Sequence, residues 1–313
     1  MTLTQLGAFV LVARLGSVKA AAAALGVSEP AVSQALAALR KHLDDELVVR
    51  HASGMALTPG GQRLVPIASQ MVSMGAEAEA AIRAAHGAPE QLRVVADSMI
   101  AELVAPSLLE AFGNRTGGVE TTVGVATTAE MGALLHERMA DVALGPHLAG
   151  EALPGVESHP VMRCQLVVVG APSPPLPPLA RAVWLVESSA TDPASPVARL
   201  LAAHRVPEGR TRVFASQAAA LAAAADGEGV APALEHLAAP DVHRNRLRRL
   251  DVPGTPMPLR WYVSMLSIDR RSPAATSLRH FLGTPPAMQL MHKPGRGLPP
   301  SRFRPPVYVT LWS

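Results

Sequence analysis

Along the first sixty residues apolar positions recur three and four apart and then give way to short alternating runs, a rhythm that predicts three helices followed by a hairpin. Leu6, Phe9, Val10 and Ala13 make one apolar face, which Gly16 closes. Ser17 caps a second helix, filled by the strong helix formers of residues 20–25 until Gly26 ends it. Val27 crosses the turn, Ser28 caps again, and a third helix carries Pro30 in its first turn, where a missing N–H costs nothing. Val32, Leu36, Leu39 and Leu43 form its buried stripe, and Glu29, Ser33, Gln34, Ala37 and Lys41 lie on the other face. Residues 47–58 place β-prone runs on either side of Ser53-Gly54, a hairpin whose Arg50 and His51 can sit over phosphates.

Two helices joined by a tight Gly-containing turn, the second with polar residues at its exposed start, form the arrangement that enters a DNA major groove. An Ala-rich helical hairpin without a DNA partner shows the same pattern, and the hairpin that follows favours the DNA reader. Thr58 and Pro59 then open a helix over residues 59–86, about 40 Å long at 1.5 Å per residue. Its Leu64, Ile67, Met71, Met74, Ala78, Ala81 and Ala85 alternate by three and four. That seam serves either a coiled-coil partner or packing on its own domain. Dimerisation is the expectation, because the stripe would otherwise face water.

From residue 92 the rhythm becomes strand, helix, strand, helix. Strands are expected at 92–96, 119–125 and 141–144, with helices at 98–112 and 127–139, an α/β lobe on a parallel sheet. A second set follows, with strands at 165–169, 182–186 and 212–214, helices at 195–204 and 216–225, and a short apolar run at 229–231. Strands at 247–250 and 259–267 are expected to return to the first lobe, with a closing helix at 273–281, so that the chain crosses between lobes twice. The Pro-rich stretch beyond Gly283 is expected to be a flexible or surface-draped tail. The expected divisions are 1–61, 62–88, 89–284 and 285–313.

Composition refines this picture in a few places. At 313 residues the chain is too long for one core. Apolar residues make up 49% but aromatics only 3%, so Ala, Val and Leu must build the cores. The net charge of +3 argues little for nucleic acid, since Lys293, Arg296, Arg302 and Arg304 stand in the tail without an acid and leave the rest near neutral. Cys164, the single cysteine, excludes an intramolecular disulfide; simple burial is expected, with a redox-sensing thiol as the alternative. The first residues carry no basic leader and no segment is long enough to span a bilayer, so a soluble, cytoplasmic protein without membrane contact is expected. His136-Glu137 lacks a second His four residues after the first, Gly227-Glu228-Gly229 lacks a phosphate loop, and there is no nucleophile elbow. Neither catalysis nor a metal or other cofactor is expected.

The runs Ser17-Val18-Lys19-Ala20-Ala21-Ala22 and Leu25-Gly26-Val27-Ser28-Glu29-Pro30-Ala31-Val32-Ser33, with Leu57-Thr58-Pro59-Gly60-Gly61 after the hairpin, resemble the LysR-type transcriptional regulators. The resemblance extends in organisation over about residues 3–282, with its sequence specificity before Leu64. It implies an N-terminal winged helix-turn-helix, a long linker helix and a two-lobed, periplasmic-binding-protein-like α/β effector domain. Partners implied are duplex DNA, a small-molecule effector, a second or further copies of the chain as homodimer or homotetramer, and RNA polymerase. The expected DNA-binding residues are Lys19, Ser28, Glu29, Pro30, Ser33, Gln34, Lys41, Arg50 and His51. Ser33 and Gln34 would reach base edges, Pro30 a thymine methyl, and Lys41 and Arg50 phosphates, while Ser28 suits capping better than reading. Where the family usually has Gln after the capping Ser this chain has Glu29, and Gln34-Ala35 stand where Arg or Gln is common, so fewer donors face the groove.

Effector contacts are expected at helix N-termini between the lobes. Ser98 and Thr127-Thr128 each follow a strand, the latter with a capping-box spacing to Glu130, and free N–H groups there favour a carboxylate or similar anion. The resemblance adds Ser188 or Ser216 on the second lobe. As isolated hydroxyls all of these suit plain N-caps as well. The alternative function is a two-lobed small-molecule-binding protein with no role at DNA.

Overall fold

A computed structural model of the chain describes every residue except 52–53, 149–152, 154, 174–180, 188–189, 191, 194 and 293–313. Local signals set the N-terminal elements as expected. Helix α1 (Leu3–Leu15) opens on a capping box, in which Thr2 Oγ1 accepts from the Gln5 N–H at 3.2 Å and Gln5 Oε1 accepts from the Thr2 N–H at 2.9 Å. Helices α2 (Val18–Leu25) and α3 (Glu29–Leu43) are capped by Ser17 and Ser28. The turn between them runs through Gly26 at φ 66°, a left-handed conformation that glycine adopts without a Cβ clash. Val32, Leu36 and Leu39 are buried as expected; Leu43, expected with them, is exposed in the last helical position before the chain turns at Asp44.

Strands β1 (Val48–His51) and β2 (Gly54–Leu57) pair antiparallel as a wing. Asp45 anchors its base by accepting from the Leu47 N–H at 2.6 Å and from Thr58 Oγ1 at 2.7 Å. Helix α4 (Pro59–Ala85) then runs for 27 residues. Gly75 of α4 faces Leu3 of α1, and a Cβ there, 2.5 Å from Leu3 Cδ1, would displace only the end of that exposed side chain.

The first lobe comprises β3 (Glu90–Ala96), α5 (Ser98–Leu103), α6 (Ala105–Thr116), β4 (Val119–Val125), α7 (Thr128–His136) and β5 (Val142–Gly145). The single helix expected at 98–112 is two. Pro106 has no N–H and would clash with the carbonyl four residues back, so the chain breaks at Val104 and restarts with Pro106 in the first turn of α6. Strand β6 (Val156–Gly170) crosses to the second lobe, formed by β7 (Trp184–Glu187), α8 (Pro196–Ala203), β8 (Thr211–Phe214), α9 (Gln217–Ala225), β9 (Val230–Leu234), α10 (Glu235–His243) and β10 (Arg248–Leu250). Strand β11 (Met257–Leu266) crosses back, followed by α11 (Pro273–Leu282) and α12 (Pro285–His292).

The two lobes share one mixed sheet of order β4-β3-β5-β11-β6-β9-β7-β8, in which β3 pairs parallel with β4 and β5, and β7 with β8 and β9. The crossing strands β6 and β11 pair antiparallel along almost their whole length. Three expectations change here. Strand β6 starts nine residues before the expected 165, its first half being hidden by the polar residues Glu157, Ser158 and His159. The strand expected at 247–250 does not return to the first lobe, since β10 pairs with Val168–Gly170 at the second-lobe end of β6. Residues 285–292 are not tail but helix, with Ala287 and Met291 buried in the core that also holds Phe112 and Phe281.

Candidate DNA interface and effector cleft

The axes of α2 and α3 bend by 109° across Gly26-Val27-Ser28, within the range of a helix-turn-helix. Val32, Leu36 and Leu39 pin α3 to the core, and this turns Glu29, Pro30, Ser33, Gln34 and Lys41 to the surface. Lys19, in the first turn of α2, is exposed as well. Among the described residues neither Lys19 nor Lys41 has a carboxylate partner. Ser28 Oγ accepts from the Ala31 N–H at 3.4 Å, a helix cap. Arg50 and His51 lie on β1, opposite Met55 and Gly54; their side chains and the wing tip at 52–53 fall outside the described residues. Arg40 is a contributor that periodicity did not mark. It donates to the Val48 carbonyl at 2.7 Å and faces Glu46 at 3.6 Å, tying the wing to α3.

Between the lobes lies a cavity of about 690 Å³, with Thr127 and Thr128 in its wall. Thr127 Oγ1 accepts from the Glu130 N–H at 3.4 Å, while Glu130 Oε2 accepts from the Thr127 N–H at 2.8 Å, which completes the expected capping box. The other expected effector residues stand differently. Asp97, not Ser98, caps α5, accepting from the Ile100 N–H at 2.9 Å. Ser98 is buried and donates to the Glu187 carboxylate of the second lobe, so its hydroxyl is not offered to the cavity. Ser216 caps α9 by accepting from the Ala219 N–H at 3.2 Å, and a carboxylate already sits on that helix start. It belongs to Glu102 of the first lobe, which accepts from the N–H groups of Gln217 at 3.0 Å and Ala218 at 3.3 Å. Ser188 lies outside the described residues.

The cavity wall also holds residues that helix-start reasoning passed over: Asp97, His147, Arg163, Arg199 and Arg260. For Arg163 and Arg260 the signal was the alternation of exposed and buried positions in the crossing strands. Burial pushes the Asp97 carboxyl up to about 7, with Glu187 adding to the rise against the N–H groups of Ile100 and Met99. Burial also pushes the Cys164 thiol up to about 12, which removes the thiolate that redox sensing needs and bears out simple burial.

Residues 3–62 match the model of the bacterial regulatory helix-turn-helix protein, lysR family, and residues 85–284 match the LysR substrate binding domain. The chain belongs to the LysR family of transcriptional regulators. An uncharacterized HTH-type transcriptional regulator of Mycobacterium tuberculosis is 38% identical over 327 aligned positions that cover 100% of both proteins. The HTH-type transcriptional regulator CfxR of Cupriavidus necator is 27% identical over 90% of this chain and 91% of its own length. A full-length variant of AphB resembles the chain in fold at a TM-score of 0.59 and 17% identity, covering 90% of this chain and 98% of its own. CbnR, a LysR family transcriptional regulator, does so at 0.54 and 20%, with the same coverages.

In this LysR-type regulator the effector lobe is docked on the DNA-binding unit. The far end of α7, whose first turn lines the cleft, packs on α1 and α2 in a core that includes Leu11, Leu134 and Leu135. Glu137, with a side chain 0% exposed, accepts from Arg14 Nε at 3.2 Å, is hydrogen-bonded to Ser69 of α4, and faces His136 Nδ1 at 3.1 Å. Burial, the largest single influence on its carboxyl, acts to raise it, but His136, Ser69 and Arg14 together hold it below the usual range.

On α4 the expected seam is divided between two faces. Leu64 and Met71 are half-buried against the DNA-binding core, while Ile67 at 55% and Met74 at 67% face outward with Ala78, Ala81 and Ala85, joined by Ile82 at 61%, which the seam did not include. Among the described residues no single helix is long and apolar enough to cross a membrane, and no cluster with metal-ligand character occurs.

Proposed function

We propose that this regulator reads duplex DNA through α3 and the wing, as a dimer or tetramer joined along α4, and that a small molecule in the interlobe cleft sets the arrangement in which it does so. One observation carries this reading: the 109° bend sets the first two turns of α3, with Ser33 and Gln34, on the surface above a well-packed core. Ser33 and Gln34 contact base edges, Pro30 packs on a thymine methyl, and Glu29 limits which bases are accepted. Lys19, Lys41, Arg50 and His51 hold phosphates and carry no sequence preference. Ser28 contributes by capping the reading helix.

The outward apolar residues of α4 support self-association, because an exposed stripe of Ile67, Met74 and Ile82 gains from a second copy. Helix α7 supports the coupling. Its start lines the cleft and its end grips α1 and α4, so an effector that shifts Thr127 and Thr128 shifts the DNA-binding unit with them. The altered spacing of two reading helices then changes the footprint and access of RNA polymerase. Of the solved relatives, LysG of Corynebacterium glutamicum, similar in fold at a TM-score of 0.50, carries bound arginine as effector. The test is a gel shift at low ionic strength with duplex DNA flanking the gene for this chain. Binding with a defined footprint is expected; indifference to all such duplexes would overturn the reading.

A further inference from the structure

Arg163 of β6 and Arg260 of β11 are direct partners across the antiparallel ladder of the two crossing strands. Both are exposed and both line the cavity, and Arg199 of α8 lines it from the second lobe. Like charges placed opposite each other on neighbouring strands repel and destabilise the pairing. Several arginines elsewhere are answered by carboxylates, as in Arg93 with Asp141, Arg138 with Glu77 and Arg271 with Glu157. Among the described residues the guanidinium groups of Arg163, Arg199 and Arg260 have neither an ion pair nor a side-chain hydrogen bond.

We propose that the cleft takes a small molecule with at least two anionic groups, such as a dicarboxylate, a tricarboxylate or a phosphorylated acid. This deepens the regulator reading and rests on it. The anionic groups neutralise the opposed guanidiniums of Arg163 and Arg260, with Arg199 closing from the other lobe, and the N–H groups and hydroxyls at the start of α7 receive a further oxygen. A single carboxylate would leave most of this positive charge unanswered, and about 690 Å³ has room for more. Of the acids in the wall, Asp192 already has a partner. Asp97 keeps a large protonated fraction near neutral pH, and in that form donates to a ligand oxygen instead of repelling it. At the other two helix starts that face across the lobes, Asp97 caps α5, with the Ser98 hydroxyl turned to Glu187, and Glu102 fills α9; at α7 the capping box takes the Thr127 and Glu130 N–H groups and leaves those of Thr128 and Ala129 for the ligand.

The experiment uses the full chain at constant ionic strength, with citrate, succinate and pyrophosphate as probes and acetate, triethyl citrate and lysine as controls, read by thermal unfolding and titration calorimetry. At least one multiply charged probe is expected to raise Tm and bind, while the controls do not. The double variant R163Q/R260Q is expected to weaken that binding more than about tenfold. R163Q alone is expected to raise the Tm of the ligand-free protein by relieving the opposed charges. The proposal is overturned if no multiply charged probe binds more tightly than acetate, if the double variant binds unchanged, or if triethyl citrate or lysine binds instead. A gel shift on the same preparation separates the two readings. Retained DNA binding beside a failed anion titration sinks only the ligand class, and lost DNA binding beside a successful titration sinks only the regulator reading.

Discussion

Arg14 of α1 donates through Nε to Glu137 at 3.2 Å, joining the DNA-binding unit to the end of the helix whose other end lines the effector cleft. Glu137→Gln keeps the shape and removes the charge. It is expected to lower stability by up to about 3 kcal/mol, the scale for breaking a buried pair, discounted because Arg14 is partly exposed. Footprinting should show DNA binding retained and the response to effector diminished. An unchanged response would remove α7 from the coupling path.

Acidification tests the same contact. Glu137 is held below its ordinary 4.5, so its stabilising contribution is complete above pH 4.5 and is lost as pH falls through the lower folded value. Asp97 runs the other way. Its folded value of about 7 lies above the ordinary 3.8, so the folded state binds the extra proton and stability falls as pH rises from about 3.8 to 7. Asp97→Asn, which retains a capping side chain, is expected to flatten Tm across that window; an unaltered slope there would refute the assignment.

The lobe-to-lobe contact of Glu102 gives a second variant. Glu102→Ala leaves the Gln217 and Ala218 N–H groups without their acceptor, and a loss of about 1–3 kcal/mol is expected in denaturant unfolding. Small-angle scattering should report wider separation of the lobes.

At DNA, Arg50→Ala should weaken binding to matched and scrambled duplexes alike and make the salt slope shallower by about one unit. Gln34→Ala should instead change which sequence is preferred. Equal losses on both duplexes for Gln34→Ala would place that residue off the bases.

Charging the outward face of α4 tests assembly. Met74→Glu, at a position 67% exposed in the single chain, should leave the fold intact and shift sedimentation toward monomer. Leu39→Ala serves as the contrast. It empties a fully buried site under the reading helix and should lower stability by about 2–5 kcal/mol without altering sedimentation of the folded fraction.

What the sequence determined by itself is local. Ser17, Gly26, Ser28 and Pro30 set the turn and the start of the reading helix, and Thr127 with Glu130 sets the start of α7, because each acts on backbone within one helical turn. The wing and the long α4 were legible for the same reason. Tertiary structure decided the rest. A hydroxyl near a helix start looks alike in sequence whether it is open or engaged, and the carboxylates that engage the Ser98 hydroxyl and the start of α9 come from 89 and 115 residues away. The face of α4 left for a second copy depends on where α1 packs. Arg163 and Arg260 became neighbours only when β6 and β11 paired in that register, since like charges attract no partner of their own and are brought together by the apolar side chains on the other face of the same strands.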